Sequence, residues 1–184
     1  MRVIAGSAKG IRLVPVPRGI RPVSDMAREG LFSSLGPSVG GARVLDLFAG
    51  TGALGIEALS RGAEQAVFVE RARAALDAIR ENLARTHLAD RAVVVGVDVR
   101  RLLTRDGKNG APFDLVLADP PYDLSGDEVA GVLAALASGW LASPGWTVAL
   151  TRRMGSSMPV IPVNWHPSRR LAYGDTLVML FREA

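Results

Sequence analysis

The chain contains no cysteine and only two histidines, His87 and His166. No disulfide framework and no thiolate metal site can be built from it. The two histidines stand in no ligand-spaced cluster, so no metal is expected. No stretch approaches the ~18 consecutive apolar residues that span a bilayer. The opening segment Met1-Arg2-Val3-Ile4-Ala5-Gly6-Ser7-Ala8-Lys9-Gly10 lacks the apolar core of a signal peptide. A cytoplasmic protein without membrane association is the expectation. Aromatic residues make up 5% of the chain. Trp140, Trp146 and Trp165 sit among apolar neighbours and read as core or edge packing. Lysine is almost missing: Lys9 and Lys108 are the only two among 22 basic residues. Arginine's planar fork suits phosphate recognition, but a skewed codon usage gives the same ratio.

What is present is globular. Apolar residues make up 48% of the chain and charged residues 22%, and 184 residues suffice for one domain with a full core and a small appendage. The net charge of +4 conceals a division. Residues 1–30 carry +4, residues 31–150 carry −3 and residues 151–184 carry +3. Cationic ends suit a polyanion, and an anionic centre suits a cationic cofactor.

The most informative stretch is Asp119-Pro120-Pro121-Tyr122. It follows an apolar run, Phe113–Ala118, that reads as a buried strand. Two successive prolines cannot continue a hydrogen-bonded ladder, so the chain turns rigidly at the strand's carboxyl end. In open α/β sheets that end is where ligands bind. A carboxylate, two prolyl carbonyls and a phenol ring suit a flat base with an exocyclic amine. The oxygens accept its N–H groups while the ring stacks on its face.

Val3-Ile4-Ala5 and Ile11–Val14 read as a small hairpin, followed by a proline-rich linker through Pro22. Ser24 is the expected N-cap of a helix through Leu35. From residue 43 strands and helices alternate. Strands are expected at Arg43–Phe48, Gln65–Glu70, Ala92–Val97, Phe113–Ala118 and Trp146–Leu150. Helices are expected at Ala53–Arg61, Ala72–Thr86, Val99–Thr104 and Asp127–Ser138. This order predicts a parallel sheet with helices on both faces. Val160–Val163 and Thr176–Phe181 read as two consecutive strands forming an antiparallel edge. Met154 and Met158 flank Gly155-Ser156-Ser157, read as a loop near the mouth of the site. Residues 1–22 are expected to form a hairpin-and-linker extension and residues 23–184 the main domain.

The first strand runs into Gly50-Thr51-Gly52-Ala53-Leu54-Gly55, which satisfies the G-x-G-x-x-G spacing of dinucleotide sites. An NAD-dependent oxidoreductase must therefore be weighed. Yet Asp46 lies four residues before the glycines, where a pyrophosphate would sit. Glu70, Asp98 and Asp119 end the next three strands. Such an acidic rim repels phosphate and attracts S-adenosylmethionine, which carries an ammonium and a sulfonium. Any one acid alone reads equally well as a helix cap.

Taken together these motifs resemble class I S-adenosylmethionine-dependent methyltransferases, and more narrowly the bacterial RsmD family. The resemblance rests on M-R-V-I-A-G-S-A-K-G at the start, R-P-V-S-D at 21–25, R-E-G-L-F at 28–32 and L-D-L-F-A-G-T-G-A-L-G at 45–55. It continues through D-L-V-L-A-D-P-P-Y at 114–122 and Y-G-D-T at 173–176. It implies a Rossmann-like α/β fold, with a mostly parallel seven-stranded sheet, an antiparallel edge and an N-terminal hairpin extension. It implies methyl transfer to a guanine N2 in ribosomal RNA of the small ribosomal subunit. By resemblance Asp46, Gly50 and Gly52 approach the methionine end of S-adenosylmethionine, Glu70 its ribose, and Asp98 and Val99 its adenine. Ala49 and Arg71 also belong to the cofactor site. Arg21 and Ser24 belong to a segment over the cofactor pocket, and Asp119 faces both cofactor and base. Asp119, Pro120 and Tyr122 form the catalytic group. Lys9, Arg12, Arg18, Arg169 and Arg170 are the candidate RNA contacts. The chain departs from the family at Val23 and Met26. It departs again at Thr151, which stands with Arg152 and Arg153 where an acid is usual. A DNA adenine-N6 methyltransferase is the nearest alternative, since D-P-P-Y serves that chemistry too. A non-catalytic, cofactor-binding assembly factor is another.

Overall fold

A computed structural model describes residues 1–15, 23–104 and 111–184. Its elements in chain order are α1 (Asp25–Leu35), β1 (Arg43–Leu47), α2 (Ala53–Ser60), β2 (Gln65–Glu70), α3 (Arg73–Thr86) and β3 (Ala92–Gly96). There follow α4 (Val99–Leu103), β4 (Leu115–Ala118), α5 (Gly126–Ala137), β5 (Thr147–Arg153), β6 (Trp165–Tyr173) and β7 (Thr176–Glu183). Among the described residues seven strands form one sheet in the order β3-β2-β1-β4-β5-β7-β6. The pairs among β1 to β5 are parallel, and β7 runs antiparallel to both β5 and β6. The order reverses between β1 and β4, which opens a crevice at their carboxyl ends. Among the described residues no helix is long and apolar enough to cross a membrane.

One apolar layer lies between the sheet and α1, α2 and α3, and the N-terminal residues Val3, Ala8 and Leu13 join it. The other lies under α4 and α5 and contains Trp140, Trp146 and Trp165. The tryptophans are core, as expected: Trp146 and Trp165 meet at 4.6 Å between ring centroids, and Trp140 stacks with Phe113.

Helix α2 is buried on every side because the N-terminal hairpin covers it. Its one acid, Glu57, is buried and accepts the Ile4 N–H at 2.8 Å and the Ala5 N–H at 3.1 Å. Arg61 Nε donates to it at 2.7 Å, and the fully buried Arg28 guanidinium lies 3.9 Å away. Arg28 also donates to the Arg2 carbonyl and to Asp25. The hairpin itself is narrow, with one antiparallel bridge between Arg2 and Arg12.

The expected strand at Val160–Val163 is not one. Val160 and Val163 are 77% and 102% exposed, and Pro159 and Pro162 leave that stretch short of ladder donors. The antiparallel partner of β7 is instead β6, whose Pro167 is accommodated at the sheet edge beside a register shift. Several strand ends also move, with β3 stopping at Gly96, β5 running from Thr147 to Arg153 and β7 reaching Glu183. Phe48 leaves β1 with φ of 58°, and Phe113 makes only an isolated parallel bridge to Leu141.

Candidate active site

A cleft of about 570 Å³ opens along the carboxyl ends of β1, β2, β3 and β4. The glycine loop supplies Ala49, Gly50 and Thr51, and the second strand end Glu70 and Arg71. The third contributes Val97, Asp98 and Val99, and the fourth contributes residues Asp119 through Leu124. The four acids anticipated from the strand ends therefore share one wall.

Each acid has a structural partner that fixes where its charge lies. Asp46 is buried, and its Oδ2 accepts the Gly55 N–H at 2.9 Å in the first turn of α2. A side chain at Gly55 would collide with the Phe68 ring and reach within 2.9 Å of Asp46 Oδ2. The helix N-terminus that holds pyrophosphate in dinucleotide sites is thus already occupied by a carboxylate. Gly50 and Gly52 take φ of 57° and 77°, values that favour glycine. Glu70 Oε2 accepts the Gly50 N–H at 2.9 Å, and Oε1 accepts from Arg71 and Ala72. Asp98 caps α4 through Arg100 and Arg101, and Arg71 Nη1 lies 3.3 Å from it.

Burial pushes the Asp46 carboxyl well above the usual carboxylate range. The Gly55 N–H opposes that shift, and the neighbouring Asp119 and Glu70 charges add to it. Burial likewise raises Asp119 to about 6, against the opposing pull of a hydrogen bond from Thr151. Carboxylates lifted this way favour a cationic ligand, because a nearby positive charge stabilises their ionised form. The wall fits an ammonium and a sulfonium, and repels phosphates.

The D-P-P-Y turn is held from three sides. The Asp119 N–H extends the ladder to the Leu47 carbonyl at 3.3 Å, and the Leu124 N–H closes the turn onto Pro121 at 3.0 Å. Arg152 Nη2 donates to the Leu124 carbonyl at 2.9 Å. The Tyr122 hydroxyl lies 3.5 Å from Thr176 Oγ1, and the Thr151 hydroxyl donates to Asp119 Oδ1.

The remaining anticipated residues lie elsewhere. Ser24 caps α1, accepting the Ala27 N–H at 3.2 Å, and its neighbour Val23 lines the cleft instead. Gly52 stands behind the cleft, facing Phe68, Ile79 and Ile56. Arg18 and Arg21 lie outside the described residues. Lys9 and Arg12 are exposed on the hairpin. Arg169 and Arg170 are exposed on β6 and face opposite sides of the sheet, pairing with Leu180 and Met179 from different apolar layers. Met154 and Met158 are exposed and lie outside the cleft lining.

Sequence reading missed Thr151, Arg152 and Asn82. Asn82 is buried in α3, donates to the Thr51 carbonyl at 2.9 Å and accepts the Val14 N–H at 2.8 Å. It pins the glycine loop and the end of the hairpin to one side chain. Thr151 takes its meaning from the β4–β5 register, and for Asn82 nothing local distinguished it.

The family described as Conserved hypothetical protein 95 matches residues 1–182. Ribosomal RNA small subunit methyltransferase D of Escherichia coli (strain K12) is 36% identical over 187 residues, covering 100% of this chain and 91% of that protein. YlbH of Bacillus subtilis (strain 168), described as a candidate rRNA methyltransferase, is 44% identical over 123 residues. That match covers 66% of this chain and 67% of YlbH. Among solved structures, the Escherichia coli protein yhhF, described as a candidate methyltransferase, superimposes with a TM-score of 0.87 at 35% identity. The superposition covers 100% of this chain and 98% of that one.

Proposed function

The chain belongs to the RsmD family of methyltransferases, described as Conserved hypothetical protein 95, and from that premise we propose that it methylates a guanine N2 in small-subunit ribosomal RNA. The methyl donor is S-adenosylmethionine. The observation that carries the reading is the convergence of Asp46, Glu70, Asp98 and the D-P-P-Y turn on one cleft. Asp46, in β1, accepts the Gly55 N–H of the first turn of α2, where a dinucleotide would need a free helix N-terminus.

The chain's residues divide the work along the cleft. Asp46 and the glycine loop hold the methionine end, Glu70 the ribose, and Asp98 with Val99 the adenine. When bound, the cofactor supplies an electrophilic methyl carbon that takes the amine's electron pair as the C–S bond electrons return to sulfur. The guanine amine is a poor nucleophile because its lone pair is delocalised into the ring. Asp119 and the Pro120 carbonyl accept its two N–H groups and turn that lone pair out of the ring plane. Tyr122 stacks on the base, which must leave its helical stack to enter. Positioning supplies most of the acceleration. Methylated nitrogen carries one proton too many, and Asp119, raised to about 6, is matched to accept it near neutral pH.

The test is transfer of label from S-adenosylmethionine to naked 16S RNA, assembled small subunits or duplex DNA, with the modified nucleoside identified by mass. N2-methylguanosine in the RNA is the expected product. N6-methyladenine in DNA, or cofactor binding without transfer to any of the three, overturns the reading.

A further inference from the structure

We propose that Thr151 is a positioning residue for Asp119, locking the carboxylate in the one orientation that receives the target amine. This inference rests on the methyl-transfer reading and adds to it a residue outside the D-P-P-Y motif.

The placement follows from sheet register. β4 and β5 run parallel with Ala118 opposite Leu150. One step further along both strands stand Asp119 and Thr151, on the same face of the sheet because side chains alternate with a period of two. Thr151 is itself fixed: it is buried, and on its other side it pairs with Val178 of β7. Its hydroxyl therefore reaches Asp119 from a central strand held by neighbours on both sides. It donates to Oδ1.

A carboxylate on a turn can rotate about its last side-chain bond, and each orientation presents different lone pairs to the cleft. With Oδ1 held by Thr151 that freedom is lost, and the amine meets a pre-set acceptor. The next residue, Arg152, holds the far end of the same turn through the Leu124 carbonyl. Successive side chains of one strand thus grip the beginning and the end of the loop that carries the reaction. The hydroxyl donates to Asp119, whereas a carboxylate at this place would add like charge to a cleft that already holds Asp46 and Glu70.

The experiment compares Thr151→Val, which keeps the shape and removes the hydroxyl, with Thr151→Ser, which keeps the hydroxyl. The ligand-free proteins are titrated by carbon-13 NMR of the Asp119 carboxyl, and the complete proteins are assayed by single-turnover methylation across pH. For T151V the Asp119 midpoint moves upward, the acid limb of the rate profile moves with it, and the rate constant falls about tenfold, the effect of one lost buried hydrogen bond to a charged group. Calorimetric affinity for S-adenosylmethionine is unchanged. T151S stays within about twofold of wild type, the scatter expected of a retained donor. An Asp119 midpoint and rate profile in T151V identical to wild type overturns the proposal, as does equal damage from Val and Ser. If T151V does not fold, Thr151→Ala carries the same comparison against T151S. A wild-type protein that transfers no methyl while T151V still shifts the Asp119 titration sinks the enzymatic reading and leaves the positioning contact standing.

Discussion

Asp119 is held in a state that costs folding free energy and serves chemistry. Its folded pKa of about 6 lies above the ordinary 3.8, so the folded protein binds this proton more tightly than the unfolded chain. Stability contributed by this group is therefore intact at and below about pH 4, falls as pH rises toward 6, and stays reduced above it. Asp119→Asn removes the charge while keeping an oxygen for the Thr151 hydroxyl. At pH 8 it should stabilise the protein by about 1–3 kcal/mol, after allowing for solvent in the cleft. That gain should vanish near pH 4, and methyl transfer should be lost throughout. Thermal melts at the two pH values check this. At this scale the acids were readable because each ends an apolar strand, a pattern carried by the chain itself. Thr151 was not, because its meaning depends on the β4–β5 register.

Among elements, the pairing of α2 with the N-terminal hairpin shows how the cofactor loop is held. The loop runs directly into α2, and α2 is clamped by Glu57 to Ile4, Ala5, Arg28 and Arg61. Glu57→Ala leaves the Arg28 charge buried and two backbone N–H groups without their acceptor. It should cost about 3–5 kcal/mol, the usual penalty for breaking a buried ion pair, seen as a lower urea midpoint with an unchanged slope. The helices and most strands were legible from hydrophobic periodicity and caps; Ser24 caps α1 as expected. The Glu57 cluster was hidden, since the backbone N–H groups it accepts, those of Ile4 and Ala5, lie about fifty positions away. The misplaced strand at Val160–Val163 has the opposite cause. Local β-branched residues suggested pairing, but the flanking prolines removed the donors, while Pro167 and paired arginines masked the true strand at 165–173.

Across the whole molecule, the acidic centre and basic ends of the sequence become an acidic cleft and exposed arginines beyond it. Lys9 and Arg12 sit on the hairpin, which packs in the α1–α2 layer, and Arg169 pairs with Leu180 of that layer. Arg170 faces the other way. Replacing Lys9, Arg12 and Arg169 together by alanine should weaken RNA binding and flatten its log–log salt dependence by about two to three. Replacing Arg170 alone should change both far less; filter binding across a salt series measures the contrast. The parallel sheet and its antiparallel edge were foreseeable from the alternation of elements, whereas the relative facing of the arginines required the β6 register. Everything in the account turns on the carboxylate at the end of β4 as the group that prepares the amine. Single-turnover methylation of its RNA by Asp119→Ala, with S-adenosylmethionine binding confirmed by calorimetry, tests this most directly. The rate constant should fall by at least about a hundredfold with cofactor still bound; a near-normal rate would contradict this role for Asp119.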